Sequence, residues 1–204
     1  MAEQRGFTLW FTGLSGSGKT TLAKAVEDEL RRRGLKVERL DGDIVRQSLT
    51  RDLGFSKEDR DRNIERVTFV AKLLTRNGVA TLCSFISPYV KRRRESRQEI
   101  GNFCECYVEC PLETLVERDV KGLYTKALAG EIQNFTGISH PYEPPPNPEI
   151  TVNSATQTVQ ESTAVILRRL EELGHVPGEA PEEGAYSEEE EQEIEDRLRA
   201  LGYI

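Results

Sequence analysis

Along residues 1–175, short apolar runs of strand length alternate with longer stretches in which apolar positions recur every three or four residues. Residues 7–12 are β-branched or aromatic except for Leu9, and they predict a strand. From 21 to 30, Leu22, Val26 and Leu30 share one helix face, and Arg31, Arg32, Arg33 and Gly34 follow where a helix C-terminus favours cations and glycine. Residues 35–40 alternate as a second strand that ends at Asp41-Gly42-Asp43. A long helix is predicted from Ser56, a capping serine with Asp59 three residues on, to Asn77-Gly78, with Ile64, Val67, Val70, Ala71 and Leu74 as its buried stripe. Residues 79–86 are almost continuously apolar, as in a strand covered on both faces, and Ser87-Pro88 end it. A helix begun near Pro88, a strand at 105–109 and a helix at 111–119 with proline at its start come next. Residues 122–148 break the rhythm with three glycines and five prolines, predicting a long loop or lid over about 121–148. A strand at 149–153 and a helix at 156–173, with Val159, Ala164, Leu167 and Leu170 inward, complete five strands separated by helices, an α/β pattern.

The chain divides by composition near its end. Residues 1–177 read as one domain, 177–184 as a linker, and 188–201 as an acid-rich helix capped by Ser187. Residues 179–204 hold ten acidic side chains and two arginines, a charge of −8, so the remainder of a chain of net charge −7 is near neutral at +1. A neutral body argues against nucleic acid as a partner, and the basic run from Lys91 to Arg97 is expected to be the solvated face of a helix. No apolar run approaches membrane-spanning length and no signal-peptide pattern opens the chain, so a cytoplasmic protein without a membrane partner is expected. Cys83, Cys104, Cys106 and Cys110 have poor zinc spacing and no histidine nearby, and read as reduced structural thiols.

The chemistry begins at Gly13-Leu14-Ser15-Gly16-Ser17-Gly18-Lys19-Thr20, which fits G-x-x-x-x-G-K-[ST] at every fixed position and sits between a predicted strand and a predicted helix. Glycines let backbone N–H groups curl around phosphate oxygens, and the helix N-terminus, with Thr21 in its first turn, adds partial positive charge. Lys19 is placed to reach the β- and γ-phosphates of a nucleoside triphosphate, and the Thr20 hydroxyl to ligate Mg²⁺. Asp43 stands at the carboxyl end of a strand, the edge where doubly wound sheets bind ligands. It is a catalytic or metal-linked carboxylate, the N-cap of a helix starting at Ile44, or both.

Further segments point together. Asp41-Gly42-Asp43-Ile44-Val45-Arg46, Gly54-Phe55-Ser56, Asp59-Arg60 with Asn63-Ile64, Ile86-Ser87-Pro88-Tyr89, Arg118 to Tyr124, and Phe135-Thr136-Gly137-Ile138 followed by Pro141-Tyr142-Glu143 closely resemble adenylylsulfate (APS) kinases, in that family's order over about residues 5–175. The resemblance implies a P-loop nucleoside-triphosphate hydrolase/kinase fold, a five-stranded parallel sheet with helices on both faces and a lid loop. It implies transfer of the ATP γ-phosphoryl group to the 3′-hydroxyl of adenosine 5′-phosphosulfate, giving PAPS and ADP in sulfate activation. It also implies Mg²⁺ as cofactor, a homodimer, and a functional link to ATP sulfurylase. On that basis Arg46, Arg60 and Asn63 meet the phosphosulfate. Phe55 and Phe135 sandwich the APS adenine beside Thr136, Ile86 and Ser87 offer contacts at a strand end, and Lys121 touches APS or nucleotide phosphates. Ser87 aligns with a serine phosphorylated in some members. Asp43 is either the acceptor of the 3′-hydroxyl proton or the holder of a metal-bound water. Ile44, Glu65, Thr125 and Leu128 depart from the commonest residues and each removes a potential phosphate contact. Two other readings are weighed: another P-loop small-molecule kinase, which would not need an aromatic sandwich, and a non-catalytic nucleotide-binding regulator of a sulfurylase, which would be expected to have lost Lys19, Thr20 or Asp43.

Overall fold

In a computed structural model, described here for residues 4–178 and Arg199, five parallel strands lie in the order β2-β3-β1-β4-β5. The strands are β1 (Phe7–Thr12), β2 (Val37–Asp41), β3 (Ala80–Ser84), β4 (Phe103–Glu109) and β5 (Ile150–Asn153). The helices are α1 (Lys19–Arg32), α2 (Gly42–Val45), α3 (Lys57–Arg76), α4 (Val90–Ile100), α5 (Leu112–Arg118), α6 (Leu123–Leu128) and α7 (Val159–Glu172). The parallel α/β fold is the one expected. The linker and helix predicted beyond residue 178 lie outside the described residues.

Every side chain of β1 is buried, because the strand is central and both faces are covered. Phe7, Leu9 and Phe11 join Leu22, Val26 and Leu30 of α1 and Ile166 and Leu170 of α7 on one face. Trp10 points to the other, with Ile64, Val67 and Ala71 of α3. That alternation carries the phosphate loop outward at the carboxyl edge of the sheet, directly after Thr12.

Several expectations are corrected. β3 stops at Ser84 rather than 86, because the chain leaves the ladder before Ser87, whose φ is 40°. β4 starts at Phe103 rather than 105. On α7, Ile166, Leu167, Leu170 and Ser162 face inward, whereas Val159 and Ala164 are exposed. The cap of α2 is Asp41, whose side chain accepts the Asp43 N–H at 3.0 Å, so Asp43 is a residue of the helix and not its N-cap. The lid stretch contains α6. The basic run is not one solvated face: Lys91 and Arg94 are exposed, but Arg93 is 2% exposed and pairs with Glu105 at 2.7 Å, and Arg97 pairs with Glu149 at 2.7 Å. The four cysteines are buried and free, and burial raises the Cys104 thiol to about 12.

Candidate functional site

The phosphate loop turns on glycines that no other residue replaces without strain. Gly13 has φ 151°, and a Cβ there would meet the Val108 carbonyl at 2.5 Å. Gly16 and Gly18 have φ 74° and 94°, and Gly18 is the N-cap from which α1 departs. A Ser17 N–H donates to Leu14 O at 3.2 Å and closes the turn, while Ser15 and Gly16 form its outer rim. Lys19 is buried beneath it, with Nζ donating to Gly13 O at 2.9 Å and Leu14 O at 2.6 Å. Burial, with Lys121 nearby, pulls its pKa from 10.5 down to about 7, against the opposing pull of Asp41 and Asp43. An anionic phosphate beside this ammonium would remove much of that penalty. Thr20 and Thr21 are exposed in the first turn of α1.

The edge of β2 meets the loop through two carboxylates in different settings. Asp41 is buried and accepts the Thr20 hydroxyl at 2.7 Å through Oδ2 while Oδ1 caps α2. Asp43 is open, its side chain 75% exposed, and its Oδ2 lies 2.8 Å from Lys121 Nζ at the root of the lid. A hydroxyl and carboxylates at a phosphate loop are the hard oxygen donors that Mg²⁺ prefers. Asp41 went unmarked by sequence reasoning. Its signal was available: it is the last strand residue before the helix, where a carboxylate reaches the loop serine or threonine.

The predicted acceptor-side residues come from five segments, one of them Lys121, already placed beside Asp43. Arg46, which caps the C-terminus of α2, donates to Leu53 O and Gly54 O, both at 3.2 Å, and lies 4.3 Å over the ring of Phe55, itself 62% exposed. Arg60 joins two of the segments: Nε donates to Phe55 O at 3.0 Å, and the guanidinium reaches Asn134 O at 2.5 Å and the Thr136 hydroxyl. Burial holds both guanidinium groups below their ordinary pKa. Asn63 is 6% exposed, and its Oδ1 has no hydrogen-bond partner among the described residues. Phe135 is half-buried and packs edge-on against Tyr124, ring centroids 5.1 Å apart, beside Leu14 and Ile138. Phe55 and Phe135 are thus linked through Arg60 rather than by ring contact. Ile86 O accepts the Thr12 hydroxyl at 2.8 Å. Ser87 is buried, and its Oγ accepts from Trp10 Nε1 at 2.9 Å and donates to Phe85 O at 3.3 Å, an arrangement suited to holding the turn rather than to carrying a phosphoryl group.

The stretch expected to be a lid, 121–148, is tied down near both ends. Asp119 accepts from the N–H groups of Tyr124 and Thr125 at 2.9 Å, and Tyr124 Oη donates to Ser15 O at 2.8 Å. At the far end, Tyr142 Oη shares a 3.0 Å hydrogen bond with the Thr12 hydroxyl. A cavity of about 490 Å³ opens between Leu14, Tyr107 and the lid stretch 137–144. It lies apart from Arg46 and Phe55. Among the described residues no helix is long and apolar enough to cross a membrane.

A glycine loop between a central strand and a helix, a buried lysine under it, and carboxylates on the adjoining strand edge define a phosphotransferase of the P-loop kinase class. The comparisons carry this further. The adenylylsulphate kinase family model matches residues 5–153. A probable adenylyl-sulfate kinase of Pseudomonas aeruginosa is 67% identical over 169 residues, 83% of this chain and 79% of the relative. An adenylyl-sulfate kinase of Halothermothrix orenii is 61% identical over 176 residues, 86% and 95% of the two chains. Among solved structures, the Mycobacterium tuberculosis APS kinase CysC in complex with AMPPNP and APS is 42% identical with a TM-score of 0.79, covering 82% of this chain and 99% of the other. The chain belongs to the adenylylsulfate kinase family, as an ATP-dependent adenylyl-sulfate kinase. Membership disposes of the two rival readings, a kinase for another acceptor and a non-catalytic regulator.

Proposed function

We propose that residues 13–21 hold ATP and that Arg46, Phe55, Arg60, Asn63, Lys121, Phe135 and Thr136, with the main chain of Ile86 and Ser87, hold adenosine 5′-phosphosulfate for in-line transfer to its 3′-hydroxyl. The observation that carries this reading is the convergence of three segments on one strand edge: Lys19 beneath the loop, Thr20 on Asp41, and Asp43 on Lys121. Phosphoryl transfer asks for charge neutralisation and alignment more than for covalent help. Lys19 sits where charge builds on the γ-phosphate. Thr20 and Asp41 would hold Mg²⁺, which supplies charge neutralisation for the transferring phosphoryl group when bound.

The two aspartates divide the labour. Asp41 has both carboxylate oxygens engaged within the chain. Asp43 is the open one, within reach of an acceptor hydroxyl on the lid side, and takes its proton. Residues 121–148 act as the lid that keeps water from the γ-phosphate. Phe55 and Phe135 supply apolar faces for the adenine, and the unpartnered Asn63 Oδ1 accepts a hydrogen bond from the acceptor. The buried reduced thiols favour a cytoplasmic setting. A homodimer and a functional partnership with ATP sulfurylase belong to the same reading.

The test is ADP release in a coupled assay, with and without adenosine 5′-phosphosulfate, for Asp43→Asn and Asp41→Asn. Asp43→Asn is expected to lower kcat with little change in either KM. Asp41→Asn is expected to raise the Mg²⁺ concentration needed for half-maximal rate. Indistinguishable behaviour of the two variants would overturn the division.

A further inference from the structure

Arg93 lies on α4, outside every motif assigned to the reaction, yet its guanidinium joins three segments. Nε donates to Glu105 Oε1 at 2.7 Å, one terminal nitrogen to Ser87 O at 2.6 Å, and the other to Glu143 O at 2.7 Å. Its carbon stands 5.8 Å from the Tyr142 ring centre. The side chain is 2% exposed, so these bonds are made out of water, where they are strongest and most directional.

The bonds belong to a closed circuit. Ser87 has φ 40°, a conformation that a serine keeps only when its surroundings impose it. Trp10 holds its hydroxyl and Arg93 its carbonyl. The preceding carbonyl, of Ile86, accepts from Thr12, the residue immediately before Gly13, and Thr12 also bonds Tyr142. The return arm of the lid is sewn to the same place, with Glu143 N–H on Pro88 O at 2.9 Å and Val90 N–H on Glu143 Oε2 at 2.7 Å. The start of the phosphate loop, the turn after β3 and the return arm of the lid therefore share one rigid corner, and Arg93 is its buried bolt.

We propose that Arg93 is a positioning residue for the acceptor: by fixing Ser87 and Glu143 to Glu105 it sets where the lid stands over adenosine 5′-phosphosulfate, without touching either substrate. A planar fork suits the task because its rigid donors reach three separated acceptors, whereas the three donors of a lysine ammonium share one nitrogen and rotate together. This rests on the proposed lid role of residues 121–148.

The experiment uses the full chain carrying Arg93→Met with Glu105→Gln, so that no carboxylate is left buried and unpaired, together with Arg93→Lys and Tyr142→Phe. In the double variant the KM for adenosine 5′-phosphosulfate is expected to rise by about tenfold or more while the KM for ATP stays within about twofold. Protease nicking within 121–148 is expected to slow on adding adenosine 5′-phosphosulfate and ADP in the wild type, and not in the double variant. Arg93→Lys keeps the charge for Glu105 and should keep the defect. Wild-type constants in Arg93→Lys and the double variant, or an equal rise in both KM values, would overturn the proposal and leave Arg93 a packing ion pair. Should the double variant fail to fold, Tyr142→Phe decides: it cuts the circuit at Thr12 while sparing the ion pair, and a selective rise in the KM for adenosine 5′-phosphosulfate supports the proposal where none refutes it. If the wild-type lid shows no protection, the lid reading falls, and the KM split still judges Arg93.

Discussion

Residues 13–20 are one continuous stretch, a loop running into the first turn of α1, whereas the proposed acceptor-side residues come from segments 43–46, 55–63, 86–87, 121 and 135–136, of which several meet through long side chains. The proposed donor side is nearly complete in a short stretch, because main-chain amides and one lysine held under them suffice to meet phosphate oxygens. The proposed acceptor side is complete only once α2, α3 and the 121–136 stretch are in place, with Arg60 reaching 74 residues along the chain to Asn134. A site built locally is fixed by glycine geometry. A site built from distant segments is fixed by whichever side chains bridge them, and is open to tuning by each.

The largest expected effect falls on the donor side. Lys19→Met should lower kcat by about 10²–10³-fold or more, since a preorganised cation facing developing charge is worth about 3–4 kcal/mol. A fold kept intact is checked by circular dichroism, and near-normal turnover would mean that this loop is not the phosphate site. The same variant tests the buried charge. Lys19 titrates near 7 in the folded protein against 10.5 ordinarily, so between about pH 7 and 10.5 the unfolded chain binds more protons than the folded one. Stability of the unliganded protein should therefore rise with pH across that window, by at most about 1.4 kcal/mol per unit. Below it, the penalty of burying the ammonium is present in full. Denaturant unfolding at pH 7, 8 and 9 should show this slope in wild type and a flatter one in Lys19→Met. Parallel slopes would remove the buried-ammonium account.

On the acceptor side the effects should be smaller and selective. Arg60→Ala is expected to raise the KM for adenosine 5′-phosphosulfate by an amount equivalent to about 1.5–3 kcal/mol, with much less change for ATP. Equal changes would show that Arg60 serves the fold of the lid and not the acceptor pocket.

The same contrast governs how much was legible in the sequence. β1, the loop and α1 could be read directly because period, glycines and lysine are contiguous. Ser56 could be read as a cap because capping is local, and its side chain does accept the Asp59 N–H at 3.0 Å. Helix α6 could not: six residues among glycines and prolines give no period, and Asp119 and Ser15 hold it from outside. Ala164 lies about 120° from Leu170 around the helix and cannot face inward with it, whereas Val159, about 20° from Leu170, is exposed because it is the first residue of α7. Asp41 and Asp43 look alike in sequence, and only the point at which the backbone turns into α2 makes one buried and the other open. Arg93 hid in a run of cations, although Glu105, a carboxylate amid Phe103, Cys104 and Cys106, called for a buried partner.

Tyr124 is where the two sides touch, and it gives the finest test of how separate they are. Its hydroxyl donates to Ser15 O in the phosphate loop, while its ring meets Phe135 of the lid edge-on. Tyr124→Phe removes the hydrogen bond and keeps the ring. The expected loss is about 0.5–1.5 kcal/mol, the net worth of one such bond, felt in the KM for ATP because the bond ends on the loop. Tyr124→Leu removes the edge-on contact as well, adding about 0.5–1.5 kcal/mol that should be felt in the KM for adenosine 5′-phosphosulfate. Measured for both substrates, the pair of variants dissects one side chain into a donor half and an acceptor half. If Tyr124→Phe moved both KM values together, the loop and the lid would be coupled through that hydroxyl, and the site would behave as one unit despite its two modes of construction.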